Sequence, residues 1–242
     1  MNRKSSPLLK VINVAFLIGV LALFGSCAVF QGLQLTATSQ GWATTDLYVY
    51  DFFLTLLEDF EPFSETERTV SIMDEHVDDV MRQLHASPSA THISLVKNSK
   101  NSYFIDFTFS SLVNLLNDLN RNQQQNIIRV KGNSLHFYLD IDNYPQLENM
   151  VPFLQDPNFE TFGPLYNIGM SEEEYLDMIS YILGEEGPPS IESSIIALNF
   201  TTPSPITSYS GGEKTGANSI RFDIPLIDFL LLATPIEFSL SW

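Results

Sequence analysis

The chain has 242 residues, 44% of them hydrophobic and 12% aromatic, with 18 Phe and 9 Tyr. That is material for one large core or two small ones, and far too apolar for a disordered acidic tail. Its 12 Lys and Arg stand against 29 Asp and Glu, a net charge of −17, so its surface repels phosphate backbones and no nucleic-acid partner is expected.

The first basic residues, Arg3, Lys4 and Lys10, precede an apolar stretch from Val14 to Phe24, after which Gly25 and Ser26 lead to Cys27. This order predicts a signal peptide over 1–26. Its apolar core is short for a membrane span, although apolarity resumes at Ala28-Val29-Phe30, so an uncleaved transmembrane anchor is the alternative. Leu23-Phe24-Gly25-Ser26-Cys27 is similar to a bacterial lipobox, with Phe24 where Leu is usual, which makes Cys27 the expected lipidation site, carrying acyl chains such as palmitate. Cys27 is also the single cysteine, so neither a disulfide framework nor a thiolate metal site is available. Cleavage there leaves nine basic residues against the same 29 acidic ones, a charge of −20. A short tether over 27–32 and one domain over 33–242 complete the expected organisation.

Strand patterns with period two dominate the rest. Leu33, Leu35 and Ala37 alternate with polar residues; Ser39-Gln40-Gly41 reads as a turn and Thr44 to Val49 as the returning strand of a hairpin. Val70, Val77, Val80, Met81 and Leu84 form a helical stripe, headed by Ser71-Ile72-Met73-Asp74 in capping-box form with Asp in place of Glu. Tyr103, Ile105, Phe107 and Phe109 share a strand face, and a short helix follows from about Ser110. Asn120 to Asn126 reads as a helix end plus a turn. Leu135, Phe137, Leu139 and Ile141 make another strand face. Ser171-Glu172-Glu173-Glu174 is a capping box, with a helix through Leu183 that stops at Gly184. Gly184 to Pro189 and Tyr209 to Asn218 read as loops. Strands are expected at Ile195–Thr201, Ser219–Ile224 and Ile236–Trp242, with a fourth helix over Pro225–Leu232. The intermingling predicts an α+β single domain, a mostly antiparallel sheet with three or four short helices.

Candidate chemistry is sparse. Asp74-Glu75-His76-Val77-Asp78-Asp79 puts acids on shared helix faces around a histidine, suited to a hard cation or to a solvated helix start. Asp140-Ile141-Asp142-Asn143 begins like a calcium loop, but Pro145 stands where glycine is required; as strand residues the two aspartates would project together as an acid/base pair. Gly211 to Gly216 holds the Lys-Thr step of a P-loop, with Glu213 in the place of its last glycine. His76, His85, His92 and His136 adjoin no recognisable nucleophile motif. Asp228 interrupts the apolar Leu226 to Leu232, which either fills the core or lines a cleft for an apolar ligand. No catalytic residue, metal site or cofactor is assigned from these patterns, and the ligand-binding residues stay unknown.

Ser39-Gln40-Gly41 with Tyr48, Gly163-Pro164-Leu165-Tyr166-Asn167, Glu173-Glu174-Tyr175-Leu176, Leu183-Gly184-Glu185-Glu186, and Phe222-Asp223-Ile224-Pro225-Leu226 through Pro235-Ile236 to Trp242, behind the lipobox leader, resemble a family of bacterial cell-envelope lipoproteins with no assigned activity. The resemblance implies a single domain outside the cytoplasm, held to a membrane by a lipid anchor, and carries no catalytic residue with it. A non-enzymatic binding or scaffolding role follows as the expectation, toward an envelope protein or a lipid ligand. The competing expectation is an envelope hydrolase using Asp140, Asp142 or Asp228.

Overall fold

The computed structural model describes residues 28–37, 40–49 and 71–242. Cys27 and the leader before it lie outside the described residues, as does Val70. The chain forms an α+β domain in which two sheets and a set of short helices enclose one main core.

The larger sheet is built around a hairpin, β1 (Ala28–Leu35) and β2 (Gly41–Tyr48), paired antiparallel from Val29↔Leu47 to Leu35↔Gly41. β1 is described from Ala28, the residue after Cys27. Residues 28–32, expected as a tether, are instead strand, because β2 on one side and β7 on the other both pair with them. β3 (Ala90–Ser99) and β4 (Ser102–Phe109) extend the sheet beyond β2, and β7 (Ile195–Thr201), β10 (Ser219–Pro225) and β9 (Glu213–Lys214) extend it beyond β1. The order is β3-β4-β2-β1-β7-β10-β9. Its β1–β7 pair is parallel and the other pairs are antiparallel. β4 shows why the sheet has one dry face: Tyr103, Ile105, Phe107 and Phe109 are all buried, while the residues between them are half-exposed.

The second sheet holds β5 (Ile128–Lys131), β6 (Ser134–Leu139), β11 (Ile236–Ser241) and β8 (Ser208–Ser210), all antiparallel. The C-terminal strand is thus an interior strand, but of a separate small sheet and not of the main one. Aromatic rings join the layers. Phe238 on β11 stacks on Phe137 of β6 at 4.5 Å and on Phe222 of β10 at 4.0 Å, and meets Phe200 of β7 at 5.8 Å.

Helices cover the rest of the dry face. α1 (Ile72–Ala86) buries Met73, Val77 and Leu84, the first two packing on Tyr103. α2 (Leu112–Leu119) starts at Ser111, whose hydroxyl accepts from the Asn114 N–H. α3 (Tyr144–Met150), a 3-10 turn (Pro152–Gln155) and α4 (Pro157–Glu160) follow β6. α5 (Glu172–Leu183) has the reciprocal capping box read from Ser171 and Glu174, buries Tyr175 and Ile179, and ends at Gly184 with φ of +73°. α6 (Gly187–Glu192) occupies ground expected as loop: its prolines sit in the first turn, where a missing N–H costs nothing. α7 (Leu226–Leu231) is wholly core on one side, with Ile227, Phe229, Leu230 and Leu231 buried. Tyr209 to Asn218, also expected as loop, holds the end of β8 and all of β9, which bridge the two sheets through Gly211 and Gly212, both at positive φ.

Candidate functional site

The densest set of ionisable groups surrounds the start of α1. Asp74 does not complete the predicted capping box, and the Ser71 side chain makes no cap hydrogen bond. The Asp74 carboxylate has stronger partners. Lys97 Nζ on β3 donates to both its oxygens, at 2.6 and 2.8 Å, and the Tyr103 hydroxyl on β4 donates to Oδ1 at 2.9 Å. The ammonium also lies 5.4 Å from the centre of the Tyr103 ring. The Lys97 hydrogen bond holds the Asp74 carboxyl below its usual range, and the same bond pushes the Lys97 ammonium up. Burial, then the bond to Asp74, raises the Tyr103 hydroxyl. All three shifts fix the resting charge state, with aspartate ionised and both lysine and tyrosine protonated. A lysine or tyrosine acting as general base or nucleophile needs its deprotonated form, and a carboxylate becomes a weaker base as its value falls. The trio is a clip between α1 and the β3–β4 hairpin.

Since Asp74 titrates lower in the folded chain, its share of stability is full above the ordinary aspartate value near 3.8 and is lost as pH falls through the lower folded value. Replacing it, Asp74→Asn, is expected to lower the melting temperature at neutral pH. The gap to the parent should close as the pH is taken below that range, read by circular dichroism melts across an acid series.

The remaining acids of this helix go to different partners. Asp79 pairs with Arg82, one turn on. His76 turns away to Asp156, Nε2 to Oδ2 3.2 Å, with its ring edge against Phe153 at 4.9 Å. Glu75 and Asp78 are exposed. The acids that a hard cation could have shared go to separate partners, and among the described residues no group of three or more metal-ligating side chains converges.

Asp140 and Asp142 are not two residues of one strand, because β6 ends at Leu139. Asp140 Oδ1 accepts the N–H groups of Asp142 and Asn143, and the Asn143 side chain accepts the N–H of Asp140 in return. This reciprocal turn launches α3. Both aspartates stand beside Tyr138, whose hydroxyl is raised first by its hydrogen bond to Asp140. Asp228 is exposed on α7. The apolar Leu226 to Leu232 that surrounds it belongs to the core.

In the Gly211–Gly216 loop, Lys214 Nζ donates to the Ile206 carbonyl at 2.9 Å, and Glu213 and Lys214 are strand, where a phosphate-binding loop would lead into a helix. The other histidines scatter: His92 Nδ1 is 3.1 Å from Thr108 Oγ1, His136 is 3.8 Å from Glu237, and His85 is exposed near the end of α1.

One group that patterning missed is Glu148 on α3, beside Glu160 of α4 and the buried Tyr144. Burial raises its carboxyl first, and Glu160 adds to the effect. A carboxyl raised by folding contributes stability below its ordinary value near 4.5, and loses it as pH rises through the folded value. Glu148→Gln is therefore expected to raise the melting temperature at neutral pH, with the gain fading in acid. Nothing in the local sequence flags this residue, because Glu160, the carboxylate that acts on it, is twelve residues farther along the chain.

A pocket beside Trp242, bounded by Leu35, Leu112, Val113 and Val130, has room for about 30 Å³. That suits a water molecule, whereas small-molecule sites run to roughly 300–1,000 Å³. Among the described residues no helix is long and apolar enough to cross a membrane.

No family model and no curated protein matches this chain. Among solved structures, the NMR structure of the folded domain of the LppM protein of Mycobacterium tuberculosis is similar over 89% of this chain and 89% of that one, at 9% identity and a TM-score of 0.38. So distant a likeness brings no site residue and no activity with it. The resemblance to envelope lipoproteins accordingly stands on the leader, Cys27 and the residues quoted for it.

Proposed function

We propose that this protein is a membrane-anchored component of the bacterial envelope, held through lipidated Cys27, with a non-enzymatic binding or scaffolding role. The observation that carries the reading is the lone cysteine at the end of an apolar leader, followed without a spacer by the first strand of the domain. An anchor there holds the domain against its membrane, since no flexible residues separate the two. Several acyl chains give stable anchoring where one gives only marginal attachment. The carboxylates of Asp74 and Asp140 are committed to a clip and a turn, which suits a structural part better than a hydrolase.

The partner is expected on the exposed surface, as an envelope protein or a lipid. Extraction of the full-length protein in mild detergent, followed by native mass spectrometry, tests this. A reproducible companion, protein or lipid, is the expected result. A bare monomer under every mild condition would remove the binding role.

A further inference from the structure

The larger sheet has a second face, and its composition changes along the strands. Strand register sorts the residues. On the face away from the core, the rows nearest the start of β1 bring together Phe30 of β1, Tyr48 of β2, Phe104 of β4 and Val96 of β3, with Ile195 and the buried Ala197 of β7 beside them and Asp46 of β2 between Phe30 and Phe104. Phe30 is 39% exposed, Tyr48 41% and Val96 50%. Farther along, the same face turns polar. Thr44, Gly32, Asp106, Ser94 and Asn199 form the next row, and Gln34, Thr108, Thr91 and Thr201 flank Trp42 in the row after it. The apolar half is thus the half next to Cys27.

We propose that this apolar end of the open sheet face, centred on Phe30, Tyr48, Phe104 and Val96, rests in the headgroup and acyl boundary of the bilayer that holds the anchor. The proposal rests on the anchor reading at Cys27 and deepens it. Phe30 is three residues beyond Cys27, and strand pairing from Ala28 onward leaves no slack to swing the domain away. Tyrosine favours that boundary, where its apolar ring and polar tip are both accommodated, and phenylalanine adds apolar surface to insert there. Charge supplies no attraction to an anionic surface, because the chain carries −17. The two carboxylates in this half are compatible with a zwitterionic surface: Asp223 is already paired with Arg221 at 2.6 Å, and Asp46 lies exposed, where a headgroup amine can meet it. Trp42 lies four residues down β2 from the Phe30 row, about 13 Å at the strand rise, and is placed clear of the boundary.

The test uses the full-length protein, extracted with its anchor and reconstituted into vesicles of brominated phosphatidylcholine, whose bromines quench tryptophan. Three single-tryptophan forms are compared: Phe30→Trp and Val96→Trp, each with Trp42→Phe and Trp242→Phe, and a form keeping only native Trp42. Val96 is on an edge strand and half-exposed, so its variant is the safer one to fold. The expected result is emission roughly halved at positions 30 and 96, as for rings seated about 5–10 Å into the boundary, with Trp42 little changed. Equal quenching at all three positions would overturn the proposal, since the polar half would then be equally immersed. No quenching at 30 and 96 in protein whose mass shows acylated Cys27 would also overturn it, while leaving the anchor intact. Blue-shifted but unquenched emission at those positions would assign the face to a protein partner instead. Absence of acyl mass on Cys27 would strike the anchor reading itself.

Discussion

Phe238→Ala is expected to lower the melting temperature by roughly 10 °C. The ring is buried at 3% exposure and touches aromatic partners on three other strands, Phe137 in its own sheet and Phe222 and Phe200 in the larger one. Deleting a buried phenyl costs about 3–5 kcal/mol in lost transfer energy and residual cavity. For a chain of this size each kcal/mol moves the midpoint by about 2–4 °C. The surroundings cannot easily collapse into the gap, because Phe137 and Phe222 are themselves fixed by strand pairing at Phe137↔Phe238 and Phe222↔Leu198. Thermal or urea melts followed by circular dichroism read the effect. A loss below about 1 kcal/mol would mean that the two sheets are held together elsewhere.

Gly41→Ala is expected to be comparably damaging, through the opposite fault of overpacking. Gly41 opens β2, facing Leu35 across the hairpin and Phe109 across β4. A Cβ at this position would lie inside contact distance of the Gln34 carbonyl oxygen and 2.5 Å from Phe109 Cζ. The oxygen belongs to a paired strand and Phe109 is a buried core residue, so neither gives way cheaply. Overpacking costs typically 1–3 kcal/mol and occasionally more, and here it also unpairs the end of the central hairpin. The expected readout is a midpoint several degrees lower, with hydrogen-exchange protection lost first at the Leu35–Gly41 end of β1 and β2. Protection unchanged at that end would contradict the close approach described.

Much of the fold is legible from residue spacing. β4, β10 and β11 are found within a residue or two of where alternation puts them, because each has one buried and one wetter face; β7 also has its expected bounds, although its burial does not alternate. The Ser171–Glu174 box and the Gly184 stop are local signals that nothing else competes with. Ser71 and Asp74 show the limit of such signals: the same capping-box pattern fails where Lys97 and Tyr103, distant in sequence, outbid the helix end for the carboxylate. β3 lacks a clean alternation, since it is an edge strand, exposed for most of its length and irregular in register after Thr91; β5 does alternate, Ile128 and Val130 against Arg129 and Lys131, but over four residues only. β8 and β9 are only three and two residues long, too short to carry a period, and exist because neighbouring strands offer them an edge.

The candidate chemistry was less legible for the same reason. Asp140 and Asp142 looked like a projecting pair only if the strand continued. The Asn143 side chain ends it by accepting the Asp140 N–H, and its own amide donates to the Tyr138 carbonyl at 3.0 Å. The apolar half of the open sheet face was invisible to alternation because its residues are spread over five strands, one or two apiece, and only register assembles them.

The most direct test of the account is the intact mass of the protein extracted from its own membranes. The predicted species begins at Cys27 and carries the added mass of acyl chains, which places β1, one residue later, at the membrane surface. An unmodified chain beginning at Met1 would contradict it and make the leader a transmembrane anchor.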